Sequence, residues 1–208
     1  MSHFITVLDL LGVAVFVISG SLAAAEKRLD ILGFILFGTI TGIGGGTLRD
    51  LLLNTDQVFW IVDTRYLWVC LAAAILTWFL APQFQSLGTV LLWADALGLA
   101  LFSVLGAAKA LAWDAPYVVA VGMGMMTATF GSLIRDSLLG RPPVVLEPNI
   151  YVTAALLGAA SYCLATAVNV PASISLVLAV AAAFGLRALA ILFDLRLPKY
   201  GKSAGQDN

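Results

Sequence analysis

The amino-acid sequence predicts an all-α polytopic membrane protein: seven transmembrane helices, arranged as two inverted three-helix repeats plus a seventh helix. Three observations carry this reading. Of the 208 residues, 61% are hydrophobic and only 11% charged, with a mean hydropathy of +1.00. A soluble domain is roughly 25% charged, so lipid is the solvent that suits this composition. The apolar residues also fall into seven runs, each close to the roughly 20 residues that span a bilayer as a helix. Finally, the chain matches itself at a fixed offset.

The runs cover 5–25, 33–53, 65–82, 88–110, 117–139, 149–168 and 173–193. Polar breaks separate them, from Glu26-Lys27-Arg28 after the first to Asn169 and Pro171 before the last. The first run resembles a secretory leader, because Ala23-Ala24-Ala25 looks like a cleavage site. Its leading segment has no Lys or Arg, however, and Asp9 lies inside it, so it reads as the first helix. The spans leave one membrane domain over 1–208, with a polar tail over 196–208.

The loops and tail on the face opposite the N-terminus hold Lys27, Arg28, Arg141, Arg196, Lys199 and Lys202, whereas those on the N-terminal face hold only Arg65. Lys and Arg concentrate on the cytoplasmic side. The N-terminus is therefore expected outside and the C-terminus in the cytoplasm.

Shifting the chain by 86 residues lays Asp9-Leu10-Leu11-Gly12 over Asp95-Ala96-Leu97-Gly98, and Phe16 over Phe102. The match continues without a gap through Gly20 and Gly106, Gly38 and Gly124, Thr41 and Thr127, and Gly45 and Gly131, to Arg49-Asp50 over Arg135-Asp136. Leu and Ala match by chance in apolar sequences; Asp, Arg-Asp and a series of Gly do not. Asp9, Gly12, Phe16 and Gly20 share one helix face, as do Gly38, Thr41, Gly45 and Arg49. Such small and polar stripes suit close helix approach in lipid. The copies fall within 5–86 and 88–170. Three spans per copy is an odd number, so the second copy starts from the opposite face, a plan that places polar sites near the midplane. The last run, 173–193, lies outside the repeat.

The candidate site residues follow from the repeat. Gly44-Gly45-Gly46 interrupts the second span at a cost of roughly 2–3 kcal/mol relative to alanine. It predicts a kink or unwound turn, with close packing as the alternative. An unwound turn would free carbonyl oxygens for a cation. The corresponding turn of the fifth span is Phe130-Gly131-Ser132, after Thr127 and Thr129. With Thr41, these residues could line a polar path.

Arg49, Asp50, Arg135 and Asp136 lie just inside span ends, where charges usually face the bundle interior. Neighbours on a helix point apart, so the expected pairs are Asp9 with Arg49 at one end and Asp95 with Arg135 at the other, either as static ties or as pathway charges. Lys109 has no counterpart in the first repeat, where Ala23 stands. It either snorkels to the interface or lines the pathway. Arg187, Arg196 and Lys199 are expected to meet lipid headgroups. Trp60, Trp68 and Trp113 read as interfacial anchors; Trp78 and Trp93 are placed less clearly.

Catalysis finds little support. His3 is the one histidine, and Cys70 and Cys163 sit alone in apolar runs. No nucleophile stands beside a base, and no nucleotide loop or metal-ligand cluster is evident. No enzyme activity and no cofactor are expected. A net charge of -1 without a basic tract offers nothing to nucleic acid.

Gly44-Gly45-Gly46-Thr47-Leu48-Arg49-Asp50 with Val58-Phe59-Trp60 resembles the bacterial glycine-rich duplicated-domain membrane family, which is homologous to the trimeric intracellular cation channels. Asp95-Ala96-Leu97-Gly98, Lys109-Ala110 and Gly131-Ser132-Leu133-Ile134-Arg135-Asp136 fit the second half, and the resemblance covers about residues 5–200. The family usually has a glycine triplet in both halves; here Phe130 and Ser132 flank a single glycine. The resemblance implies seven spans, inverted repeats and a homotrimer in the bacterial inner membrane. Each subunit would have its own pore between kinked second and fifth helices, binding potassium and sodium ions transiently. Some bacterial relatives are described instead as glycine transporters, and carriage of a small neutral amino acid is the alternative.

Overall fold

The computed structural model describes residues 3–84 and 86–198. The helices occupy the apolar runs: α1 (His3–Glu26), α2 (Ile31–Leu52), α3 (Arg65–Leu80), α4 (Leu87–Ala112), α5 (Tyr117–Leu138), α6 (Val152–Ala167) and α7 (Ala172–Leu192). A one-turn helix, Phe59–Val62, precedes α3, and a 3-10 turn, Val144–Leu146, precedes α6. Local chemistry sets several ends. Asp30 caps α2 by accepting from Gly33 N, and Ser86 caps α4 by accepting from Thr89 N. Pro116 and Pro171 stand immediately before α5 and α7, where a missing N–H costs nothing.

Among the described residues six helices are long and apolar enough to cross a membrane; α6, at 16 residues, is shorter. Its expected first turn is a bend instead, where Asn149 bridges Arg196 and Leu197 N donates to Pro148 O at 2.7 Å. α6 fits because its small face is buried: Ala154, Ala155 and Ala159 have no exposed surface. The bundle is that of a multi-pass membrane protein, with Leu32, Leu36, Phe79, Leu164 and Leu192 exposed around it.

The repeat is visible in how its mates meet. Phe16 on α1 and Phe102 on α4 stack with ring centroids 5.3 Å apart and planes 13° apart. Each ring covers the glycine one turn before the other: Phe102 lies against Gly12, and Phe16 against Gly98. α1 packs on α2 and α4 packs on α5 through small residues. A Cβ at Gly20 would strike Thr41, and one at Gly106 would strike Thr127. Here α1 and α2 run from the N-terminal face and back, and α4 and α5 do so from the other face. The mates therefore meet about a pseudo-two-fold axis lying in the membrane plane.

After the paired Arg-Asp motifs the offset falls from 86 to 85 residues. Tyr66 then corresponds to Tyr151, Cys70 to Ala155 and Ala74 to Ala159, all buried. The shorter second loop, ending in Val144–Leu146, accounts for the slip.

Candidate functional site

α2 and α5 cross at the bundle centre. A Cβ on Gly45 would collide with the carbonyl oxygen of Thr127, and one on Gly131 with that of Thr41. These are exchanged repeat mates, so the backbones touch twice across the pseudo-two-fold axis. The hydroxyls of Thr41, Thr127 and Thr129 bond carbonyls of their own helices at 2.6, 2.6 and 2.9 Å. Each back-bonded hydroxyl keeps acceptor lone pairs. The Thr41 and Thr127 hydroxyls face Gly20 on α1 and Gly106 on α4; at the crossing itself the oxygens are the backbone carbonyls of Thr41 and Thr127, and Gly44 meets Ile134 beside them.

The glycine triplet is not unwound. α2 runs unbroken from Ile31 to Leu52 and α5 from Tyr117 to Leu138. Each glycine has its own neighbour instead. Gly45 admits Thr127, Gly46 admits the Phe59 ring, and Gly44 faces Ile134 and Gly131 at ordinary contact distance. In the second repeat Val144 stands at the place of Phe59 under the 85-residue offset. Ser132 can then replace the third glycine, and its hydroxyl meets that of Tyr151 at 2.8 Å. Phe130, the mate of Gly44, is half-buried.

The charges gather at the two ends of this crossing. At the N-terminal face, Asp50 is the hub. It accepts from Arg49 Nε at 2.8 Å, from Lys109 Nζ at 2.9 Å and from the backbone N–H of Phe59 at 3.0 Å. Lys109 turns inward, neither snorkelling nor free, with 16% of its side chain exposed. Its ammonium lies 5.7 Å from the centroid of the Phe59 ring, as does Arg49 Cζ. Phe59 also packs edge-on against Tyr66 at 4.7 Å, and Tyr66 donates to Asp9 at 2.6 Å.

At the opposite face Asp136 is the hub. It accepts from Arg135 Nε at 2.8 Å, from Arg141 Nε at 2.9 Å and from Val144 N at 3.4 Å. Arg141 reaches on to Glu26 at 2.8 Å. Arg135, with no exposed surface, also donates to Asp95 and Ser19, at 2.8 and 2.7 Å. The two hubs correspond: each Asp takes its neighbouring Arg, a second cation and the first N–H of a short helical turn. Lys109 therefore has a counterpart in Arg141, which comes from a different place in its repeat.

Four expectations need correction. The Asp95–Arg135 pair forms, but the Asp9–Arg49 pair does not, because Tyr66 takes Asp9 and Asp50 takes Arg49. Arg49 and Arg135 both bond their own neighbours, since a long guanidinium arm can fold back across the 100° between adjacent helix positions. Arg187 does not face lipid headgroups. It is 3% exposed, donates to Ile150 O at 3.2 Å and lies 5.1 Å from the Tyr151 ring centroid. Finally, the glycine triplet frees no carbonyls. Arg196 is exposed and pairs with Asp194 at 3.0 Å. Lys199 lies outside the described residues.

Sequence reasoning missed Ser19, Phe59, Tyr66, Glu26 and Arg141 as members of these clusters. The Tyr66–Tyr151 correspondence would have pointed to the tyrosines had the offset been allowed to slip by one. Ser19 has Leu105 as its mate and left no such signal.

Comparison with known proteins places this geometry. A family model described as "Glycine transporter" matches residues 6–82 and 92–167, one segment in each repeat. The chain is 37% identical to a UPF0126 membrane protein of Vibrio cholerae, over 93% of this chain and 81% of that one. It is 36% identical to the UPF0126 inner membrane protein YadS of Escherichia coli, over 93% and 94%. Among solved structures, a trimeric intracellular cation (TRIC) channel orthologue from Rhodobacter sphaeroides superposes with a TM-score of 0.91. The two are 45% identical, covering 93% of this chain and all of that one. A prokaryotic TRIC channel solved in 0.5 M KCl gives 0.88 at 31% identity, over 95% and 100%.

Proposed function

The chain belongs to the TRIC-related family that the glycine-transporter model describes, and on that premise we propose that it is a monovalent cation channel. The observation that carries the proposal is the α2–α5 crossing, where the carbonyl oxygens of Thr41 and Thr127 meet the glycines of the opposite helix, with a compensated charge cluster at each end. Backbone carbonyl oxygens suit a partly dehydrated monovalent cation once the helices part. Potassium is the proposed principal ion, with one pathway per subunit beside the crossing. In the conformation described, Gly45 and Thr127 are in backbone contact, so passage requires α2 and α5 to part. Three subunits are proposed to assemble in the inner membrane, with Lys27, Arg28 and Arg141 on the cytoplasmic face by the bias of basic residues. No catalytic role is proposed for any of these side chains.

The alternative is a carrier for glycine, the substrate named by the family model. A carrier needs an enclosed midplane site, and the contact between Gly45 and Thr127 leaves no room there for an amino acid. Purified protein in liposomes decides between the two. Resolved single-channel currents carried by potassium support the channel. Saturable uptake of labelled glycine without such currents overturns it.

A further inference from the structure

An aromatic-walled groove of about 500 Å³ opens on the lipid-facing surface, where the end of α1 meets α2, α3 and the start of α4. Leu29, Phe34, Trp78, Phe79 and Leu87 line it, and Arg28 stands at its rim. Its volume falls in the range of small-molecule sites, roughly 300–1,000 Å³. Trp78 is fixed in the wall by Phe34, which meets it edge-on at 4.8 Å and 80°.

The rim is cationic and uncompensated. Lys27 and Arg28 are exposed, and among the described residues neither has an ion pair. The acids beside them are engaged elsewhere: Glu26 pairs with Arg141 at 2.8 Å, and Asp30 caps α2 through Gly33 N at 2.9 Å.

The fold itself does not require this groove. At the corresponding places of the second repeat stand Asp114 for Arg28, Ala120 for Phe34 and Cys163 for Trp78. Arg28 and Asp114 even share the same left-handed backbone, φ 55°. Architecture is conserved between the copies, while the aromatic walls and the cation are confined to one. A second copy of the chain suits a different surface: the grooves between α1, α4 and α7, around Leu97 and Phe184, hold no charged residue.

We infer that this groove binds one anionic phospholipid, its acyl chain between Phe34, Trp78 and Leu87 and its phosphate on Arg28 and Lys27. A cationic rim at the headgroup level attracts anionic lipid, and the apolar trough below it replaces a bilayer contact with an aromatic one.

Trp78 supplies the probe. The full chain and its Trp78→Phe variant are reconstituted in phosphatidylcholine vesicles, with brominated-chain phosphatidylglycerol or brominated phosphatidylcholine titrated in. The difference in tryptophan fluorescence isolates Trp78. The expected result is half-quenching by the anionic lipid at a several-fold lower mole fraction than by the zwitterionic one, with the preference lost in Arg28→Gln. Equal quenching by both lipids overturns the inference, as does a preference that survives Arg28→Gln. So does a Trp78 signal that neither lipid quenches, the result expected if another subunit covers the groove. If Trp78→Phe does not fold, native mass spectrometry of the wild type and Arg28→Gln gives the same comparison through retained phosphatidylglycerol. Neither readout depends on ion conduction.

Discussion

Gly45 on α2 rests against the carbonyl oxygen of Thr127 on α5, too closely for any Cβ between them. Its mate Gly131 rests in the same way against Thr41. Two symmetric backbone contacts fix where α2 and α5 cross, and they assign the glycines of the triplet to different tasks.

Those tasks predict opposite signs for the same substitution. Gly44→Ala meets only Ile134 and Gly131, at 3.7 and 3.8 Å. It should gain helix propensity, up to about 1 kcal/mol. Gly45→Ala and Gly131→Ala drive a methyl into backbone that cannot rotate away, and should lose about 1–3 kcal/mol through overpacking. Gly122→Ala, with nothing within 4 Å, is a control expected to behave like Gly44→Ala. Equilibrium unfolding in mixed micelles ranks the four. A destabilised Gly44→Ala alongside a neutral Gly45→Ala would refute the assignment.

The two charge clusters are unequally replaceable. Among the described residues Arg135 is the only cation placed on Asp95 and one of two on Asp136. Arg135→Gln therefore leaves a buried carboxylate uncompensated, a loss of about 3–5 kcal/mol. Arg49→Gln leaves Asp50 with Lys109, and Asp9 keeps its bond from Tyr66. Its loss should be distinctly smaller, although Arg49 is buried nearly as deeply. Parallel melting of the two variants in detergent tests the order; equal losses would mean that the partners counted here do not govern the energetics.

Ser132 shows how the second repeat does without a third glycine. Its hydroxyl meets that of Tyr151, a side chain with no exposed surface. Ser132→Ala should cost about 1 kcal/mol, the net value of one such bond, whereas Gly46→Ser at the matching place must displace Phe59. Unfolding measurements should find Gly46→Ser the more damaging of the pair.

The helices, the inverted duplication and the Asp95–Arg135 pair were legible because they depend on periodicity and on residues matched at one offset. The hub at Asp50 was not. Its cation, Lys109, comes from the other repeat, and its loop partner, Phe59, comes from beyond the point where the register slips. Arg141 was hidden for the same reason: it serves Asp136 as Lys109 serves Asp50, yet stands at an unrelated repeat position. Partner choice among buried charges is decided by three-dimensional reach, and a one-residue slip in a loop suffices to conceal it. The triplet was misread because the helical cost of glycine was set against an unwound turn, when close contacts by Gly45 and Gly46 accounted for it.

Phe59 joins the parts of the N-terminal cluster. Its N–H binds Asp50, its ring fills the space opened by Gly46, and Lys109 and Arg49 both lie over that ring. Phe59→Leu keeps much of the apolar volume but removes the ring face, forfeiting roughly 0.5–1 kcal/mol per cation at a partly exposed site. A change of 1 kcal/mol is about five-fold in population, so the Lys109 amine should detach from its cluster several times more often. Labelling of the detergent-solubilised protein with an amine reagent, read residue by residue by mass spectrometry, measures this directly, with the exposed Lys27 as internal reference. The Lys109 rate should rise several-fold in Phe59→Leu, and also in Gly46→Ala, whose methyl would sit 2.8 Å from the Phe59 ring edge and displace it. Potassium flux in liposomes of the same variants should rise with it if the cluster closes the pathway. An unchanged labelling rate in both variants would leave Asp50 and the Trp113 ring, 5.8 Å from the ammonium, as what hold Lys109, and Phe59 as packing.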